Sequence, residues 1–225
     1  MTLDAPATVS PILQQCVDAA GRLGRERGTV TVATLARRLD VGRDVATERL
    51  LALSALGLAT TDAVGRVALT AAGERLARSL LRKHRLLERF FTDLLGLSWD
   101  RVHDEAARMT PAVSDAVADG LAKLLGQPTS CPHGNAIPPV EGEFREETAV
   151  PLSQLGARRA GTIVRIEREE PELLKYLATL GLLPDVPVEV EELAPLGGPV
   201  LVRVGSARYA LGRKIAARIF VRPDA

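Results

Sequence analysis

Residues 83–114 read KHRLLERFFTDLLGLSWDRVHDEAARMTPAVS. Leu86, Leu87, Phe90, Phe91, Leu94 and Leu95 recur at a three-to-four spacing, which predicts a helix with one apolar face. His84 and Glu88 stand four residues apart, so their side chains leave that helix on the same side. GLSWD at 96–100 breaks the pattern as a turn, and a second helical run opens near His103. An antiparallel pair of these helices would bring two imidazoles and a carboxylate together, a donor set suited to a divalent transition metal. The same residues also fit a plain amphipathic pair, in which His84 and Glu88 form a solvated contact worth about 0.2–0.5 kcal/mol.

On the N-terminal side, Ile12, Leu13, Cys16, Ala19, Ala20 and Leu23 predict a helix over residues 11–27. Thr31 is placed to cap a short helix that turns Leu35, Ala36 and Leu39 inward, and Val41-Gly42 supplies a turn. A second helix over 43–55 buries Val45, Leu50, Leu51 and Leu53, and Gly57 ends it. Residues 58–69 alternate around Asp62-Ala63-Val64-Gly65-Arg66 as a two-stranded hairpin, after which Thr70 caps the next helix. Helix, turn, helix and hairpin in this order describe a winged helix–turn–helix domain. If DNA is its partner, Arg43, Thr47, Glu48 and Arg49 on the second helix face base edges. Arg37, Arg38 and Arg66 would then neutralise phosphates. A winged helix can also serve as a protein-binding module.

On the C-terminal side, a helix is predicted over 111–125, and the Gly/Pro-rich stretch 126–150 is loop and linker. Beyond it, strands over 161–166, 186–192, 200–204 and 208–211 surround a helix over 171–180.

The chain has 225 residues, enough for two or three small domains. Two cysteines, Cys16 and Cys131, are too few for a disulfide framework and suit a reducing cytoplasm. No apolar run reaches the length of a membrane span, and the N-terminus lacks a basic-then-apolar leader pattern. Charge is unevenly spread. Up to Arg85 there are 13 Lys/Arg against 8 Asp/Glu, from Leu86 to Pro139 4 against 7, and from Val140 onward 12 against 13. A basic front and an acidic centre suit a DNA-binding head on a cation-binding body.

The run RKHRLLERFFTDLLGLSWDRVHDEA, with CPHGNAIP at 131–138, resembles the dimerisation and metal-binding domain of the diphtheria-toxin-repressor family of iron- or manganese-dependent repressors. The grammar of residues 151–223 is similar to the small domain of ferrous-iron-transport A proteins, which also forms the SH3-like third domain of those repressors. The resemblance covers residues 13–221. It implies an α+β chain: a winged helix–turn–helix head at 11–80, an all-α dimerisation and metal domain at 81–139, a linker at 140–150 and a small SH3-like β-barrel at 151–223.

For sites, the resemblance implies that His84, Glu88 and His103 are ligands of the family's ancillary metal site, with Glu169 and Glu172 reaching in from the third domain. Mn(II) or Fe(II) is the implied ion, and Zn(II) or Co(II) also fits the donors. Cys131 and His133 fall in a loop that the family uses structurally, although a thiolate and an imidazole are competent ligands. Dimerisation is expected through Phe90, Phe91, Leu94, Leu95 and Trp99. Two departures stand out. Where the family's second metal site has Glu-Ala-Cys-x-x-Glu-His, this chain has Ala107, Thr110 and Pro111 at the thiol, carboxylate and imidazole positions. Only Cys16 and Met109 are at hand to rebuild that site, so one metal per subunit is expected. On the second head helix, Asp44 and Glu48 replace neutral residues of the family's Ser-Gly-Pro-Thr-Val-Ser-Gln run. The expected function is a cytoplasmic, homodimeric, metal-dependent regulator that binds double-stranded DNA. It is expected to have no membrane partner, no small organic substrate and no enzymatic role. Alternatives are a regulator free of metal control and an interaction protein of the same fold. A metallohydrolase lacks support, since no nucleophile elbow, phosphate loop or further acid/base pair accompanies the histidines.

Overall fold

The computed structural model describes residues 9–144, 147–167 and 170–224. The chain packs as two units, Met1–His84 with Arg108–Ala118, and Arg85–Ala107 with Asp119–Ala225.

In the first unit, α1 (Pro11–Arg27) starts at Ser10, whose Oγ accepts the Leu13 N–H, with Pro11 preset for the first turn. Then follow β1 (Val30–Thr31), α2 (Val32–Leu39) and α3 (Arg43–Ala55). Thr31 and Thr34 cap α2 reciprocally, as the sequence suggested for Thr31. The left-handed residue of the turn is Asp40, at φ 52°, and Gly42 is extended. The wing is β2 (Ala59–Thr61) and β3 (Arg66–Leu69), with Ala59 opposite Leu69. β1 adds a third antiparallel strand beside β3, pairing Val30 with Val67. The sequence did not announce it, because two residues carry no period. Asp62 builds the wing turn by accepting the Val64 and Arg66 N–H groups at 3.0 and 2.8 Å. α4 (Ala71–Asp93) is capped by Thr70, and its Gly73 lies so close to the Leu58 carbonyl that a Cβ would not fit. Cys16, Leu23, Leu35, Leu50, Leu53, Val67 and Leu80 share one core.

α4 runs unbroken through residues 80 and 81 and onward into the second unit. α5 (Val102–Met109) and α6 (Asp115–Leu124) complete the helical middle. The helix expected over 111–125 is split: Pro111 sits in a 3-10 turn, Thr110–Ala112, and α6 starts at Asp115. Residues 126–149 hold no helix or strand among the described residues, only an isolated bridge between Ser130 and Ala136.

The remainder is β4 (Val150–Pro151), β5 (Arg159–Ile166), α7 (Pro171–Thr179), β6 (Pro187–Leu193), β7 (Val200–Val204), β8 (Ala207–Leu211), α8 (Arg213–Ala216) and β9 (Ile219–Pro223). The strands form one antiparallel sheet in the order β4-β9-β5-β6-β7-β8, folded around Ile163, Ile166, Leu174, Leu177, Val190, Val202, Leu211 and Val221. This is the SH3-like part of an α+β architecture. β9 was not foreseen, yet it lies between β4 and β5, with Ile163 opposite Val221. No helix among the described residues is long and apolar enough to cross a membrane.

Candidate metal centre

The centre grows from one helix, one turn and one loop. α4 turns Leu86, Leu87 and Phe91 into the protein, and this places Glu88 inside as well, 0% exposed. His84, one turn earlier on the same helix, is 3% exposed. α5 is anchored by buried Val102 and Ala106, and this sets His103 toward α4, with Nδ1 at 3.0 Å from Glu88 Oε1. His84, Glu88 and His103 each bring a donor atom within 4.8 Å of the others.

The loop of Cys131 and His133 supplies the remaining donors. It is closed by Cys131 N–H to Asn135 C=O, Gly134 N–H to Cys131 C=O and Ile137 N–H to Thr129 C=O, at 2.9, 2.9 and 2.7 Å. Gly134 has φ +83°, and a Cβ there would run into the Val164 carbonyl. That close approach lets the Ile166 N–H donate to the His133 carbonyl at 3.0 Å, tying the loop to the end of β5. His133 Nε2 lies 2.7 Å from the Trp99 carbonyl, which can only accept, so Nε2 carries the proton. The Nδ1 lone pair is thereby aimed inward, 3.7 Å from Glu88 Oε1 and 3.9 Å from Cys131 Sγ. Glu88, Cys131 and His133 are all buried and form a second cluster of donors within 4.8 Å.

Glu88 therefore belongs to both clusters. A carboxylate taken wholly out of water is costly without a compensating positive charge. Carboxylate, thiol and imidazole donors converging on such a group fit a divalent transition metal. The sequence reading favoured a structural role for Cys131 and His133 in C-P-H-G while naming both as competent ligands, and their donor atoms lie together with that of Glu88.

Glu172, at the start of α7, is exposed, lies 3.6 Å from Lys175 Nζ and enters neither of the donor clusters described above. Glu169 lies outside the described residues. Neighbouring Glu170 is 3.6 Å from Arg218. Cys16 is part of the head core, where burial pushes its thiol up to about 11 against the opposing pull of Arg49. Met109 is exposed, and Cys16 enters no donor cluster among the described residues. One further acid was overlooked, Asp18 on α1. Burial pushes its carboxyl up, but Arg22, 2.8 Å away, together with His84 and Arg25, outweighs burial and holds it below the usual range.

The head's candidate DNA contacts divide. Arg37, Arg38, Arg43, Thr47 and Glu48 are exposed, with Arg38 3.7 Å from Glu26. Arg49 is half-buried, and Arg66 is held by Asp62 at 2.7 Å within the wing. Of the expected dimer residues, Leu94 and Leu95 are exposed and Phe90 is half-buried. Phe91 is buried in its own chain, and Trp99 packs on the SH3-like core and against His133.

Comparison with known proteins bears on this geometry. Residues 70–139 match the iron dependent repressor, metal binding and dimerisation domain, and residues 150–223 match the FeoA domain. The iron-dependent repressor IdeR of Mycobacterium tuberculosis is 31% identical over 211 residues, covering 88% of this chain and 91% of that protein. The diphtheria toxin repressor of Corynebacterium diphtheriae is 34% identical over 131 residues, 57% of this chain and 58% of that one. Among solved structures, a manganese-dependent transcriptional repressor in complex with manganese superposes with a TM-score of 0.86 at 32% identity, covering 94% of this chain and all of that one (100%). ScaR with bound Cd2+ gives 0.79 at 27% identity, over 93% of this chain and 98% of that one.

Proposed function

The chain belongs to the iron-dependent repressor family, and from that premise we propose that it is a metal-responsive transcriptional regulator, acting in the cytoplasm as a homodimer on double-stranded DNA and not as an enzyme. The observation that carries the metal half is Glu88, a buried carboxylate shared by two donor clusters. His84, Glu88 and His103 would hold the ion from the helices, and Cys131 and His133 from the loop. Mn(II) or Fe(II), with Zn(II) and Co(II) as alternatives, suits this mixed carboxylate, imidazole and thiol donor set.

What the protein's own residues do follows from the connections. An ion held by Glu88 and His133 would bridge α4 and the 131–138 loop. That loop is tied to β5 through His133 and Ile166, and to the turn after α4 through Trp99. With Ala107, Thr110 and Pro111 at the usual positions of the second site, one tightly held ion per subunit is the reading we adopt. Its charge argues the same way: one dication matched by the Glu88 carboxylate and a Cys131 thiolate leaves the interior neutral.

Asp44 and Glu48, exposed on α3, favour a second reading in which the head binds a protein. Selection of duplexes from a random pool by the full chain, at several salt concentrations with and without Mn(II), Fe(II) or Zn(II), separates the two. Recovery of one sequence only with metal, with affinity falling steeply in salt, is the expected result. Selective recovery independent of metal removes the metal-responsive half, and no selective recovery under any condition removes the DNA reading.

A further inference from the structure

The outward face of α3 carries chemistry that the metal centre does not use. Asp44, Thr47, Glu48 and Leu51 are exposed at i, i+3, i+4 and i+7, opposite the buried Ala46, Leu50 and Leu53. Leu51 is 67% exposed, so the helix is apolar on both sides, and the sequence expectation that this leucine is buried is corrected. Thr47 Oγ1 donates to the Arg43 carbonyl at 2.7 Å. Its hydroxyl proton is thus used within the helix, and its γ-methyl is what remains to offer a partner. Thr47 and Leu51 stand one turn apart, about 6 Å along the helix axis, which is close to two base steps of about 3.4 Å. In the major groove the one apolar group on a base edge is the thymine C5-methyl.

Resting on the reading that α3 enters the major groove, we propose that Thr47 and Leu51 select operator half-sites by packing on thymine methyl groups about two steps apart, while Glu48 beside them admits only a neighbouring base that presents an amino hydrogen. The carboxylate is an acceptor with no proton to give. Opposite cytosine N4 it gains a charge-assisted hydrogen bond, and opposite a carbonyl edge it is buried against another acceptor. Glu48 thus excludes wrong sites more than it strengthens the right one, since it also repels the phosphates. The apolar pair supplies the positive selection.

The test uses the full chain with Mn(II) and the duplex it selects from a random pool. Each half-site thymine is replaced in turn by deoxyuridine, which removes only the methyl group. One or two positions should weaken wild-type binding about fourfold, the worth of one buried methyl-sized group. At one of them Leu51→Ala should bind thymine and uracil alike. Leu51 is exposed, so this variant should melt with the wild type, and alanine suits a helix at least as well. Glu48→Gln should accept guanine or thymine in place of the selected cytosine. A selected duplex on which the wild type never distinguishes uracil, or on which Leu51→Ala still does so at every position where the wild type does, overturns the proposal and leaves DNA recognition standing. Failure to select any duplex overturns both.

Discussion

Glu88 is the residue at which burial and chemistry pull in opposite directions. Its place on the inward side of α4 follows from the leucines around it, yet it brings a charge where they bring none. An amide of the same shape does not carry that charge. Glu88→Gln should therefore remove most of the stabilisation by metal. At metal near a hundred times the dissociation constant, that stabilisation is about 2.7 kcal/mol. Thermal unfolding of both proteins with and without Mn(II) measures it, and an unchanged metal-induced rise in the variant would show that Glu88 is not a ligand. The i, i+4 spacing that sets His84 and Glu88 on one side of α4 was legible because helical spacing is a local property. What turns the His133 ring inward was not, because it is a carbonyl 34 residues away, on Trp99. No spacing rule encodes that contact.

Among the elements, α1 and α3 announced themselves down to their bounds through their apolar residues, α1 with its Ser10 cap as well. β1 and β9 were silent because a short strand is defined by its partners. The loop at 129–137 is an intermediate case: its glycine and prolines marked a turn but not what the turn approaches. Gly134 is the hinge of that question. Alanine there would need a left-handed backbone and would meet the Val164 carbonyl. We expect Gly134→Ala to cost about 1–3 kcal/mol and to weaken metal binding by lifting His133 away from Glu88. Gly120 offers the control, because it lies inside α6 with open space around it. Gly120→Ala should raise stability by about 0.5–1 kcal/mol and leave metal affinity alone. Chemical denaturation together with Co(II) titration of both variants checks the pair. Equal metal affinity in Gly134→Ala and wild type would show that the loop does not position a ligand.

At the scale of the whole molecule, the charge balance changes sign after Arg85, and the packing units divide one residue earlier, inside α4, with residues 108–118 joined to the first unit. The same helix ends in an apolar surface that one chain does not cover: half-buried Phe90, with Leu94 and Leu95 at 51% and 54% exposure, and Leu124 at 64% on α6. A two-fold contact buries each of these twice. Half of a leucine's burial is worth about 1 kcal/mol, so Leu94 and Leu95 together contribute about 4 kcal/mol across a symmetric interface, nearly three decades in dissociation constant. The full chain should therefore sediment as a dimer at micromolar concentration, and the paired substitution Leu94→Lys with Leu95→Lys as a monomer, with unchanged helix content by circular dichroism. That variant should also lose most of its affinity for a duplex bearing two half-sites while keeping its weak affinity for one, because the second head then binds without the effective concentration that linkage provides. A wild type that stays monomeric at tens of micromolar, or a doubly substituted chain that still dimerises, would place the interface elsewhere.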